Sequence, residues 1–240
     1  MKLTCIPGLS CTADVFGDVA ERLRDLTVLD LPRSANFDEI ADLLARDVPR
    51  DTVLCGLSMG AYLSLAIARR VPEKLRGIVL ISGSAAADSA DAAAQRDKAV
   101  AWANRKGVNA LAAAQAHNLL APANRERADL RERLFDMTCA IGLETFALHQ
   151  AVLAGRPDQR EHLGEITCPT LILTGAEDTV TPPEAARVMA DNIPEAQLHL
   201  VAGAGHMPPI EAPDAVAECI AAFMRDLPAA ARPKTVQVPT

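Results

Sequence analysis

A serine flanked by two glycines is the residue in this chain best placed to do chemistry. Residues 56–60 read Gly-Leu-Ser-Met-Gly, which matches the G-x-S-x-G pattern of a nucleophile on a sharp turn between a strand and a helix. The apolar run 52–55 precedes the turn, and a helical pattern beginning near Met59 follows it. The flanking glycines leave room for the chain to double back. The pattern therefore predicts Ser58 as a nucleophile, and an ordinary helix N-cap serine is the alternative.

A serine hydroxyl needs a general base, and the chain contains five histidines. His206 lies in the Gly/Pro-rich loop 203–209, directly after the last predicted strand. Loops at the carboxyl ends of parallel strands share one edge of a sheet, so this loop can reach Ser58. We therefore predict His206 as the base; a surface-loop histidine is the alternative.

The third group of such a site is a carboxylate on another loop at a strand end. Loop 174–182 follows the predicted strand 171–173 and contains both Glu177 and Asp178. We predict that Asp178 orients His206, because a shorter side chain is easier to fix against the imidazole Nδ1. Glu177 is the rival, and a turn or capping role is the structural alternative for Asp178.

The elements that must position these residues alternate between short apolar runs and helical patterns over 1–84 and again over 165–227. Continuous apolar strands separated by helices are typical of a parallel sheet covered on both faces. Residues 85–164 are Ala-rich and helical instead. We predict a doubly wound α/β core, a helical cap at 85–164 and a flexible tail at 228–240. The alternative places the middle helices in the core layers.

Composition limits the possible partners. The chain has 240 residues, is 50% hydrophobic and carries a formal net charge of −7, which suits one α/β domain with no affinity for nucleic acid or an anionic membrane. We expect no signal peptide, no apolar run of membrane-spanning length, and a cytoplasmic monomer or homodimer. The six cysteines show no metal-ligand spacing and are expected to be reduced thiols.

The order Ser58, Asp178, His206 is that of the α/β hydrolases. The chain resembles this family, and within it the small esterase, lactonase and carbon–carbon-bond hydrolase branch. Four stretches carry the resemblance, at 6–10, 56–60, 175–178 with Pro182, and 205–208. In the family the first stretch usually reads His-Gly-x, whereas Pro7 stands in place of the histidine here.

The resemblance implies an α/β-hydrolase fold of about six parallel strands. It also implies an oxyanion hole formed by the backbone N–H groups of Leu9 and Met59. No metal or organic cofactor is expected, and a small molecule is the expected substrate.

Three classes of function stay open at this point. The first is a serine hydrolase that cleaves a small ester, thioester or lactone through an acyl-enzyme. The second is a lyase or carbon–carbon hydrolase that uses the same triad, like members of the menaquinone pathway, and the third is a non-catalytic receptor. Trp102, Phe135 and Phe146 are candidates to line the pocket or to hold the cap helices together. Arg33 is a candidate to bind a substrate carboxylate, with a solvated surface arginine as the alternative.

Overall fold

The computed structural model describes residues 1–228, and all six of its strands lie in one parallel sheet of order β2-β1-β3-β4-β5-β6. The strands are β1 Lys2–Ile6, β2 Leu26–Val28, β3 Thr52–Leu57, β4 Leu75–Ile81, β5 Thr170–Gly175 and β6 Gln197–Val201. The chain runs outward from β1 to β2 and then crosses back to β3, so the direction of winding reverses between β1 and β3. The prediction of a doubly wound parallel sheet of about six strands is confirmed.

Helices follow most strands along the chain. They are α1 Gly17–Arg22, α2 Phe37–Asp47, α3 Met59–Arg70, α4 Ala90–Lys106, α5 Val108–Asn118, α6 Ala128–Ala154, α7 Pro183–Asn192, α8 Pro208–Glu211 and α9 Pro213–Asp226. Short 3₁₀ turns lie at Ala13–Phe16, Pro72–Lys74, Pro122–Asn124 and Arg160–Glu165.

Apolar residues at helical spacing predict a helix from Ala13 to Leu26, but the first helix is shorter. It ends at Arg22, and Asp25 turns the chain with a φ of 65°. Leu26 then pairs with Leu3 at the start of β2. Leu26, the last apolar residue of the helical pattern, therefore belongs to the sheet and not to the helix.

Two apolar layers enclose the sheet. Leu54 of β3 packs into a cluster with residues of α2, α3 and α7, whereas its neighbours Val53 and Cys55 pack into a second cluster with α1 and α9. This alternation is the two-residue period of a strand that is buried on both faces. The continuous apolar pattern of β3 reflects this double burial.

Residues 85–164 form helices that pack on one another. Helices α4, α5 and α6 are in mutual contact, and they share a small apolar cluster of Ala103, Leu111 and Phe146. Helix α6 is interrupted at Gly142, whose φ of 75° is not helical. The sequence has helical patterns at 124–140 and at 143–153, and the two patterns meet at this interruption. Assignment of this block to a separate cap stays a prediction.

Of the helices in residues 1–228, α6 is the one whose length and composition would allow it to cross a membrane. Buried helices of globular cores pass the same test. The break at Gly142 divides α6 into two segments, each shorter than the ~20 residues that a span requires. The predicted tail lies outside the described residues, apart from Pro228.

Candidate active site

Ser58 occupies the turn between β3 and α3. Its backbone has φ 53° and ψ −112°, a conformation that is unfavourable for a residue with a side chain. The Ser58 N–H donates to the carbonyl of Ile81 in β4 at 2.8 Å, which ties the turn to the neighbouring strand. The strain is therefore held in place by the sheet, as expected of a nucleophile elbow.

No side chain fits at either of the two glycines of the elbow. A Cβ at position 56 would lie 2.2 Å from the carbonyl oxygen of Gly60, and a Cβ at position 60 would lie 2.1 Å from the carbonyl oxygen of Ile6. Both distances are far below van der Waals contact with backbone atoms. The glycine spacing thus lets β3 and α3 pack closely enough to form the turn.

His206 reaches the elbow from the loop after β6. Its Nε2 lies 2.9 Å from Ser58 Oγ, and the ring is almost fully buried. Its backbone N–H donates to the carbonyl of Leu119, at the end of α5, at 2.8 Å. The helical block therefore helps to hold the loop that carries the histidine.

Asp178 contacts the other side of the imidazole, with Oδ2 and Oδ1 at 2.9 and 3.1 Å from His206 Nδ1. Its Oδ1 accepts the N–H groups of Val180 and Thr181, and Oδ2 accepts the hydroxyl of Thr181 at 2.9 Å. Burial acts to raise the pKa of Asp178, but the hydrogen bond and charge of His206, with the donors of Thr181, bring that pKa below its usual value. The rival Glu177 is exposed.

Glu211 is a buried carboxylate that sequence reasoning missed. Its Oε1 accepts the N–H groups of Gly205 and Met207 at 2.9 and 3.0 Å, on either side of the histidine. Its Oε2 accepts the Ala121 N–H and the Asn124 side-chain amide, both at 2.8 Å. An acidic residue inside the apolar stretch 207–212 is the signal that could have revealed it. Glu211 thus joins the histidine loop to the segment between α5 and α6.

The N–H groups of Leu9 and Met59 donate to no acceptor among residues 1–228. Met59 is the first residue of α3, where N–H groups are free of helical bonding. The loop of Leu9 runs directly over the elbow, since a Cβ on Gly8 would lie 3.3 Å from Ser58 Cβ. Both N–H groups therefore lie in segments next to Ser58 and have no acceptor among the described residues.

A cavity of about 370 Å³ opens at the Ser58–His206 pair. Its lining includes Gly8, Leu9, Cys11, Leu57, Tyr62, Asp88, Ala92, Arg96, Leu119, Gln150, Leu153, Arg156, Val180, Thr181 and Met207. Several of these come from the helical block, which therefore forms one wall of the site. Burial raises the pKa of Cys11 to about 12, so its thiol stays protonated.

The aromatic residues predicted as candidate lining lie elsewhere. Trp102 and Phe146 pack in the cluster between α4, α5 and α6, and Phe135 is not among the lining residues. Arg33 also lies outside the lining. It pairs with Glu144 at 2.7 Å and donates to Thr145 Oγ1 at 3.1 Å, so it connects the loop after β2 to α6.

The family of the chain follows from this architecture together with a sequence match. A family model described as "Alpha/beta hydrolase family" matches residues 5–219, which include the serine, the aspartate and the histidine. The chain belongs to the alpha/beta hydrolase family. The predictions of this fold and of a hydrolase-family enzyme are confirmed.

Similar proteins include named esterases. A pimeloyl-[acyl-carrier protein] methyl ester esterase of Chromobacterium violaceum is 29% identical, over 81% of this chain and 82% of its own length. Its counterpart from Yersinia enterocolitica is 24% identical and covers 92% of each chain. Among solved structures, a malate-bound thermophilic esterase from Thermogutta terrifontis superposes with a TM-score of 0.85 at 28% identity, over 95% of this chain and 90% of that one.

Proposed function

We propose that this chain is a serine hydrolase that cleaves carboxylic esters through an acyl-enzyme, with Ser58 as nucleophile, His206 as base and Asp178 as the orienting acid. The observation that carries the proposal is the continuous hydrogen-bonded chain from Ser58 Oγ through the imidazole to the Asp178 carboxylate. The named esterases among the similar proteins support the choice of an ester bond.

The proposed reaction has two stages. In the first, His206 takes the proton from Ser58 while Oγ attacks the ester carbonyl, and the oxyanion binds between the N–H groups of Leu9 and Met59. The imidazolium then gives its proton to the leaving alcohol, and an acyl-enzyme remains. In the second stage, His206 deprotonates water, which attacks the acyl carbonyl and releases the acid with Ser58 restored.

Asp178 has two parts in this scheme. Its carboxylate holds the proton of the imidazole on Nδ1, so that Nε2 faces Ser58 as an acceptor. Its negative charge stabilises the imidazolium that forms during each stage. The donors of Thr181 keep Asp178 ionised for both purposes.

The proposal also includes a role for the helical block and the kind of partner. Residues 85–164 are proposed to act as a cap, because α4 and α6 contribute lining residues to the cavity. The proposed partner is a small-molecule substrate. Cytoplasmic location and a monomeric or homodimeric state stay predictions.

A fluorophosphonate probe and a panel of short p-nitrophenyl esters test the proposal. The wild-type protein is expected to be labelled on Ser58 and to release p-nitrophenolate, and Ser58→Ala is expected to lose both properties. Ser64→Ala, a substitution at a buried serine of α3 outside the cavity lining, serves as the matched control and is expected to keep them. Labelling without turnover of any ester would favour the lyase class, and absence of labelling would contradict the proposed nucleophile.

A further inference from the structure

Two arginines and one aspartate lie in the wall of the cavity. Asp88 follows β4, Arg96 lies on α4, and Arg156 follows α6. Arg156 Nη1 lies 2.6 Å from Asp88 Oδ1, and Arg96 forms an ion pair with the same carboxylate. Apart from His206, these three residues are the charged members of the lining. Within the lining, one carboxylate faces two guanidinium groups, so one positive charge is not matched by another lining residue.

This unmatched charge is poorly exposed to water. The side chains of Asp88 and Arg156 are 4% and 7% exposed, and that of Arg96 is 23% exposed. Burial acts to raise the pKa of Asp88, but the hydrogen bonds and charges of the two arginines bring it below its usual value, so this carboxylate is ionised. A partly buried charge without a counterion is unfavourable, which makes the wall a place where an anion is stabilised.

The guanidinium groups also have N–H donors without an acceptor among the described residues. Arg96 donates to both oxygens of Asp88 through Nε and Nη2, and its Nη1 donates to Gln150 Oε1 at 2.9 Å. A guanidinium has five N–H bonds, so one on each Nη remains without an acceptor among residues 1–228. A carboxylate has two oxygens that can accept such N–H groups.

Arg156 is fixed and adds further donors. Its Nε donates to the carbonyl of Ala86 at 3.0 Å, and its Nη1 donates to the carbonyl of Leu153 and forms the ion pair with Asp88. Its guanidinium stacks over the Tyr62 ring, with 4.5 Å between its carbon and the ring centroid. Its Nη2 donates to no acceptor among the described residues. The second arginine is therefore rigid, and one of its nitrogens is still available.

We propose that Arg96 and Arg156 bind a carboxylate of the substrate, so that the enzyme acts on esters that carry a second, ionised carboxyl group. The inference rests on the proposed function, because the same cavity contains Ser58. A carboxylate neutralises the single unmatched charge, whereas a phosphate monoester would bring about −1.5 to −2 charges. A cavity of about 370 Å³ suits a short dicarboxylic half-ester.

Two matched substrate pairs test this inference. Monomethyl glutarate is compared with its neutral terminal amide, which places the carboxylate on the acyl side. An acetate ester of 3-hydroxypropanoate is compared with its amide, which places the carboxylate on the alcohol side. For at least one pair, the wild-type kcat/KM is expected to favour the anionic member by about 10- to 100-fold, the contribution of charge-assisted hydrogen bonds. The difference is expected mainly in KM.

Variants of Arg96 then test whether the preference for the anionic substrate depends on its guanidinium group. Arg96→Gln is expected to reduce the anionic-to-neutral ratio to about 1, and Arg96→Lys to retain part of it because the charge remains. Arg33→Gln is the matched control, since it removes a guanidinium that pairs with α6 outside the cavity lining, and it is expected to keep the ratio. A variant whose helical block packs less well would lose activity on both substrates. The ratio of the two kcat/KM values would then stay the same.

The outcomes separate this inference from the proposed function. Equal turnover of anionic and neutral esters by the wild type would overturn the carboxylate site and leave the esterase proposal intact. A ratio that survives Arg96→Gln would overturn the role of Arg96, as would a preference for a phosphorylated ester over its carboxylated analogue. Failure to hydrolyse any ester, together with absence of fluorophosphonate labelling, would instead contradict the proposed function.

Discussion

Ser58 Oγ lies 2.9 Å from His206 Nε2, although 148 positions separate the two residues along the chain. The contact arises because β3 and β6 are parallel strands of one sheet, so the loops that follow them open at the same edge. The contact between Ser58 and His206 therefore follows from the strand order.

Replacement of Asp178 by asparagine is expected to lower kcat for ester hydrolysis by about 10⁴-fold. The amide would present a donor to the imidazole, which favours the tautomer with its proton on the nitrogen that faces Ser58. The measurement is steady-state turnover of a p-nitrophenyl ester, with Asp191→Asn at the exposed end of α7 as control. A loss below tenfold would contradict the assigned role.

The Thr181 hydroxyl is expected to stabilise the ionised Asp178. Thr181→Val is expected to reduce the free energy of unfolding at pH 7 by roughly 1.5–3 kcal/mol, the value of a hydrogen bond to a charged group. The folded-state pKa of Asp178 is lowered, so this contribution is present above the unfolded pKa and is lost as pH falls through the folded pKa. Urea titrations at several pH values measure it, and the exposed Thr179→Val serves as control. An effect that stays the same at every pH down to acid unfolding would argue against a link to the carboxylate.

Glu211 is expected to act as a positioning residue for the histidine loop. In Glu211→Gln the side-chain amide would point hydrogens at two N–H donors, and the loop would shift. A displacement of about 1 Å at the reacting groups can cost about 10²-fold, so we expect a fall of that size in kcat with a smaller change in KM. The exposed Glu218→Gln is the control. Equal kinetics of the two variants would show that the loop does not depend on Glu211.

Gly60→Ala is expected to prevent formation of the elbow. The added Cβ would lie 2.1 Å from the carbonyl oxygen of Ile6, and β1 would have to move. We expect a loss of more than ~3 kcal/mol in stability, or no soluble folded protein. At Gly164 a Cβ would meet nothing within 4 Å, so Gly164→Ala is the matched control with little effect. Thermal unfolding of both variants measures the contrast, and similar melting temperatures would contradict it.

His149 is expected to make stability depend on pH. Its burial lowers the pKa of the imidazole to about 4, below the ~6.5 of an unfolded chain. Between these values the unfolded state binds the extra proton, so acidification destabilises the fold by up to ~1.4 kcal/mol per pH unit. We expect His149→Phe to remove this slope in denaturant titrations from pH 6.5 to 4. An unchanged slope would mean that other groups cause the acid sensitivity.

The sequence was sufficient to predict the sheet and the meeting of the three site residues. Patterns such as the buried run 52–57 indicate strands because their side chains are apolar on both faces, and parallel winding then fixes which loops meet. The spacing of the two elbow glycines reflects a close backbone contact, so this feature can also be predicted from the sequence.

The cavity wall could not be predicted in the same way. The ion pairs of Asp88 depend on how α4 and the end of α6 dock, and no periodic pattern encodes such docking. Arg33 had the residue type for a carboxylate site, but it lies outside the cavity, whereas Arg96 and Arg156 lie inside it. The contacts of Glu211 could not be predicted for the same reason, because its hydrogen-bond donors at 121–124 are distant in the chain.

The four hydrogen bonds of Glu211 have a consequence for protein engineering. One carboxylate is shared between the histidine loop and the segment that links α5 to α6. A chimera that exchanges residues 85–164 for those of a relative, in order to change substrate preference, must therefore supply a backbone N–H at the position of Ala121. Without that donor, the graft would displace His206 as well as change the pocket, and a loss of rate would be mistaken for a change in selectivity.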